Sequence, residues 1–185
     1  MFLFIFIYLF LLKYLIKLCF GNYKKSFSSY FFIPLIFLKG DNILDILLLI
    51  LSSCSAIHHS VRCDSPIFHK ITHLLDSMAI VFITSYLLFK YFNINTIYNL
   101  INSTIISLFS FYIDNKYNNR SIKKIIILIC YSIFIYNYGI YGIILSLTHI
   151  YFFKKGKYWD TINFYRYSWH FTSAFIFFLM INIIY

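Results

Sequence analysis

The chain is 185 residues long, 61% hydrophobic and 23% aromatic, with only 12% charged residues and a mean hydropathy of +0.77. Soluble domains carry about a quarter charged residues, and a core this small cannot hide so much apolar surface from water. The expected solvent is therefore a lipid bilayer, and disordered, collagenous, coiled-coil and disulfide-scaffold classes are excluded. The net charge of +10 falls mostly in short segments between apolar runs, such as Lys116-Arg120-Lys123-Lys124 and Lys154-Lys155-Lys157. That is the placement expected beside anionic headgroups, and no nucleic-acid partner is expected.

A single all-α domain is predicted over 1–185, a polytopic membrane protein with about seven transmembrane helices, each needing about 20 residues to cross the hydrocarbon. The first span is expected at 1–20 and reads as retained, since it shows no basic leader and no small-residue cleavage site. Residues 30–38 are too short to span and carry Pro34, which marks them as interfacial or re-entrant. Spans at 42–60, 69–92 and 96–113 follow, the first of these ended by the turn around Pro66 and the last by the polar run that starts at Asp114. As one helix, 125–153 would extend about 43 Å, well beyond a bilayer core. Asn137, Gly139 and Gly142 interrupt its middle, so it divides into 125–137 and 139–153. A single tilted helix there, giving six spans, is the alternative. The last span is 161–185.

With seven spans, the loops bearing Arg62, Lys70, Lys116, Arg120, Lys123, Lys124, Lys154, Lys155 and Lys157 share one side, against Lys24, Lys25, Lys39 and Lys90 on the other. The positive-inside bias then puts the N-terminus in the cytoplasm and the C-terminus outside or in a lumen. Cys19, Cys54, Cys63 and Cys130 form no CxxC pair, so neither a disulfide framework nor a cysteine zinc site is expected. No internal repeat marks duplicated transporter halves, and a channel or carrier is the least supported class.

Ionisable residues within spans are costly and tend to be functional. Here Ser55, His58 and His59 close one span, and His69, His73 and Asp76 open the next. His149 lies near the end of 139–153, and Arg166 and His170 near the start of 161–185. Under the seven-span topology all these ends share one membrane face. Ser55 and His59 stack one turn apart, and His69, His73 and Asp76 form one stripe. His59, His170 and one further imidazole could supply a three-nitrogen zinc site with water in the fourth position, where the ion acidifies that water toward neutral pH. Asp76 then orients the water or takes its proton, and Ser55 donates to the substrate oxygen as charge develops. Plainer roles are expected for other side chains. His58, about 100° around the helix from His59, is expected to point toward loop or headgroups, and His69 to be a solvated helix start. Trp159, Tyr167 and Trp169 are expected in an interfacial belt, and Ser52 and Ser53 bonded to the preceding turn.

The segments Ser55-Ala56-Ile57-His58-His59, Leu74-Leu75-Asp76-Ser77-Met78-Ala79-Ile80 and Tyr167-Ser168-Trp169-His170 resemble the three polar signatures of the CREST superfamily. That group holds alkaline ceramidases, adiponectin-type receptors, GPI-remodelling lipases and myomaker-like proteins. Its pattern is SxxxH ending the second span, an Asp opening the third and HxxxH in the seventh. The fragment from His59 through Val61-Arg62-Cys63-Asp64 to Pro66 further resembles the myomaker-like branch. The resemblance implies seven helices around a zinc ion and, in many members, hydrolysis of a lipid amide or ester. Carried over, it makes His59 and His170 zinc ligands, Asp76 the water-positioning acid and Ser55 the oxyanion donor. The first histidine of HxxxH falls on Arg166, a cation that cannot ligate zinc. Either His149 or His73 takes its place as the third metal ligand, or the metal is bound weakly or not at all, or Arg166 pairs with Asp76 and fills the space of the metal. The expected function is an intramembrane zinc-dependent lipid hydrolase, with the bilayer and a lipid substrate as partners. The alternative is a non-catalytic multi-pass protein that keeps the scaffold for lipid binding, membrane remodelling or receptor-like signalling.

Overall fold

The computed structural model describes residues 31–36, 41–60, 66–117, 121–158 and 164–185. These hold six helices and no strand: α1 (Asn42–Ser60), α2 (Pro66–Tyr91), α3 (Thr96–Tyr117), α4 (Ser121–Tyr138), α5 (Ile140–Tyr158) and α6 (Phe164–Ile184). Short polar side chains set several of their ends. Asp41 Oδ1 accepts the N–H groups of Ile43 and Leu44, both at 3.0 Å, which caps α1. At the other end of α2, the Asn93 N–H bonds the Lys90 carbonyl and the Ile94 N–H bonds that of Phe89. Asn93 sits at φ 57°, the left-handed position that closes a Schellman turn and that asparagine tolerates. Asn95 Oδ1 then caps α3 through the Ile97 N–H.

Five of the described helices, all but α5, are long and apolar enough to cross a bilayer. The chain is thus an all-helical protein built for a membrane, but seven spans are not reached among the described residues. The expected span 1–20 lies outside them. The last turns of α5 carry Lys154, Lys155 and Lys157, cations that resist burial in hydrocarbon. Several helices also outrun the expected bounds: α2 begins at Pro66 rather than 69, α3 continues to Tyr117, and α4 starts at Ser121. The backbone keeps its helical hydrogen bonds beyond the apolar stretch.

Of the segment 30–38, expected to be interfacial or re-entrant, residues 31–36 are described. Residues 31–36 form a tight turn, with the Ile36 N–H on the Ile33 carbonyl at 3.0 Å. Phe32, Leu35 and Ile36 are buried in one core with Leu48 and Leu51 of α1, Ile83 and Leu87 of α2 and Ile181 of α6. Pro34 is the exposed member, so the segment plugs the bundle. A second core joins Leu88 of α2, Tyr131 and Phe134 of α4, and Ile176 and Met180 of α6.

The stretch 125–153 is interrupted where expected, and the single-rod alternative does not hold. Gly139 takes φ +56° between α4 and α5. The chain then turns back: Gly142 lies against Phe134 and Ile135, and His149 against Tyr131, an antiparallel pairing. A Cβ on Gly142 would fall 2.8 Å from the Phe134 oxygen and 2.9 Å from the Ile135 Cα, so only glycine permits this approach.

Helix α2 packs against α1, α3, α4 and α6. Against it, α3 is inverted relative to a soluble amphipathic helix. Asn99, Ser103, Ser107, Ser110 and Asp114 are buried, whereas Ile97, Ile101, Ile105, Leu108 and Phe109 are exposed. Asn99 Nδ2 donates to the Tyr86 carbonyl at 3.0 Å, Ser103 to Asn99 Oδ1 at 3.1 Å, and Ser107 to the Met78 carbonyl at 3.0 Å. Small polar residues let two helices meet closely and supply hydrogen bonds that lipid cannot. Asp41 anchors the end that lies away from the histidines. Its carboxylate pairs with Lys90 at 3.5 Å and accepts the hydroxyls of Tyr86 at 3.3 Å and of Tyr185. Partial burial pushes its pKa up, but the hydrogen bonds from Tyr185 and Leu44 and the charge of Lys90 outweigh this and hold it below 3.8.

Two outcomes follow for thermal unfolding in detergent. A group whose folded pKa is depressed contributes stability that is full above its ordinary 3.8 and fades as pH falls through the lower folded value. Asp41→Asn, which keeps the cap, should therefore flatten the loss of stability below about pH 4, and Asp41→Ala should cost a further 1 kcal/mol or so for the lost cap. At the turn, Gly142→Ala should cost about 1–3 kcal/mol by forcing α4 and α5 apart. Gly139→Ala meets no atom within 4 Å and should cost only the left-handed strain of about 1–2 kcal/mol.

Candidate functional site

The end of α1, the start of α2 and the start of α6 meet at one end of the bundle and bring the histidines together. From α1, His58 and His59 point to different neighbours, as adjacent residues on a helix must. The His58 ring lies 4.9 Å from that of His73 and 5.1 Å from that of His69, both on α2. The His59 ring lies 4.8 Å from that of His170 on α6, and His58 and His59 are 5.0 Å apart. The four rings His73, His58, His59 and His170 thus form a continuous chain across three helices. Ser55, Asp76 and His170 are each 5% exposed or less, and Ser55 lies within hydrogen-bonding reach of the Asp76 carboxyl.

His149 is held differently. Its Nε2 is 2.7 Å from Ser173 Oγ, and that hydroxyl donates its one proton to the Trp169 carbonyl at 2.8 Å. Nε2 must therefore carry the hydrogen. Nδ1 then accepts the Tyr131 hydroxyl, so the one lone pair of the neutral imidazole is in use. The expected third ligand is accordingly a bridge between α4 and α6, with Trp169 between it and His170.

The donor atoms of His58, His73 and Asp76 all lie within 4.8 Å of one another. Among buried polar atoms, His58 Nδ1, His59 Nε2 and Asp76 Oδ1 have no hydrogen-bond partner among the described residues. Orphaned donors and acceptors of this kind fit a site that takes a further group. Lys123 acts electrostatically on Asp76 and His58, and Arg166 acts on His59 and His170.

Below this cluster runs a cavity of about 460 Å³, within the size range of small-molecule sites. Leu51, Ile80, Leu87, Ile176, Phe177 and Met180 line its apolar length, and Ser55, Asp76, His149 and His170 its polar part. Asp76 is the one carboxylate among the lining residues.

Several sequence expectations change here. His58 does not point to headgroups; it faces α2 within the cluster, because α1 has neighbours on two sides. His69 joins the same ring contacts. Trp169 packs among histidines and lines the cavity, while Trp159 lies outside the described residues. Ser53 bonds the Leu49 carbonyl at 2.7 Å as expected, but Ser52 Oγ has no hydrogen-bond partner among the described residues. The cavity itself carried no sequence signal, since it is a gap between five helices, α1, α2, α4, α5 and α6. His73 with Asp76, one turn apart and next to an inward-facing span end, was the readable trace of the cluster.

Comparison with protein-family models, curated proteins and solved structures finds no match. The site must be argued from its own residues. Ser173→Ala and Tyr131→Phe should each cost about 1–3 kcal/mol in thermal unfolding by leaving a buried His149 nitrogen unpaired.

Proposed function

We propose that the chain is an intramembrane hydrolase of a lipid amide or ester, of the CREST type, with seven spans and its N-terminus in the cytoplasm. The observation that carries this reading is the junction of a long apolar cavity with Ser55, Asp76 and a group of imidazoles. The cavity walls take an acyl chain, which gains by leaving neither water nor polar surface against it. The scissile carbonyl then rests at the Ser55 end. Asp76 takes the proton of an attacking water and passes it to the departing oxygen or nitrogen, so that the C–O or C–N bond breaks and a carboxylic acid and an alcohol or amine leave. The Ser55 hydroxyl donates to the carbonyl oxygen as negative charge grows on it. A divalent ion such as zinc, held by imidazoles of the cluster, supplies Lewis acidity when bound.

A second reading, lipid binding without chemistry on the same scaffold, is favoured by Arg166. A guanidinium acting on His59 and His170 opposes a dication between them. The two readings separate in one assay. Detergent-purified chain, incubated with a panel of lipid amides and esters, should release free fatty acid. Ser55→Ala and Asp76→Asn should each lower turnover by about 10²–10³-fold while lipid binding persists. Binding with no release of fatty acid by the unaltered chain would leave the non-catalytic reading.

A further inference from the structure

We infer that His58, His73 and Asp76 form a divalent-metal site, distinct from the His59 and His170 pair that the family resemblance implies and from His149 as its third ligand. The inference rests on the hydrolase reading for what the ion is used for, not for whether it binds. Two neutral imidazoles and one carboxylate are the donors of a hydrolytic zinc site with an open fourth position. Their atoms lie within 4.8 Å of one another. Ligands of a tetrahedral zinc stand about 3.3 Å apart, given bonds near 2.0 Å, so modest side-chain rotations close the set. Among the described residues, His58 Nδ1 on α1 and Asp76 Oδ1 on α2 are buried without hydrogen-bond partners.

The competing set is poorly arranged for an ion. The lone pair of His149 is taken by Tyr131, and Arg166 acts on both His59 and His170. On the other side, Lys123 is the charged neighbour of Asp76 and His58, on a flexible stem at the cavity wall that can move aside. His59 and His69 are the remaining titratable groups acting on His58. Asp76 alone of the three also lines the cavity. It connects the ion to the substrate, one oxygen serving the metal and the other remaining for Ser55 and water.

The test is metal titration of the full chain in detergent after chelator stripping, with Zn²⁺ measured by atomic emission and Co²⁺ by visible absorption. About one ion per chain is expected, with tetrahedral Co²⁺ bands and no thiolate charge-transfer band. His58→Ala and His73→Ala should each weaken Co²⁺ binding by about 100-fold or more, whereas His149→Ala and His170→Ala should change it by less than about tenfold. Should an alanine variant misfold, His58→Gln and His73→Gln serve in its place. Absence of binding by the unaltered chain overturns the inference, as does affinity that falls with His149 and His170 and not with His58 and His73. Binding that depends on His58 and His73 without any lipid turnover would uphold the site and remove the hydrolase reading. Turnover that ignores both histidines would do the opposite.

Discussion

Hydrocarbon offers no hydrogen bonds, so a polar group at that depth must find its partner on another helix. This constraint organises the bundle around α2. On one flank α3 turns Asn99 and Ser107 inward to the α2 carbonyls and leaves Ile97, Ile101 and Ile105 exposed on the outer face. On another, α1 and α6 bring imidazoles to the same end of α2 as Asp76. An apolar helix face would gain nothing by leaving lipid for protein, whereas a buried amide or carboxyl gains a partner. The polar residues therefore specify which helices meet and in what register.

The reversal at Gly139 has an equally local cause with a distant effect. Its positive φ ends α4, and Gly142 lets α5 return within backbone contact of it. His149 is thereby carried back to Tyr131 and across to Ser173, where it ties α4 to α6 along the wall of the cavity. A histidine that reads as a ligand in the linear pattern becomes a brace, because its two nitrogens meet a hydroxyl that must donate and another that must accept.

The two ends of the bundle differ in chemistry. At one, Asp41 is a fully committed anion: it caps a helix, pairs with Lys90 and accepts two tyrosine hydroxyls. It holds α1, α2 and the chain end together and has nothing left to offer a substrate. At the other end Asp76 is enclosed with one oxygen unmatched among the described residues, beside imidazoles and an apolar hollow. Full satisfaction marks structure, and incomplete satisfaction in a buried place marks capacity for a further ligand.

By itself the amino-acid sequence determined the solvent, the helical class and the positions of most breaks, because these follow from hydropathy and from Pro, Gly and Asn at single positions. It also showed that Ser55, His59, Asp76 and His170 stand near span ends, since charge inside apolar sequence is visible without coordinates. The tertiary structure alone decided which imidazoles meet. His58 faces α2 while His59 faces α6, and that choice depends on where neighbours lie around α1, which no spacing along one helix encodes. It also decided that 31–36 fills the core and that five helices leave a cavity between them, because packing and voids are properties of surfaces brought together from distant parts of the chain.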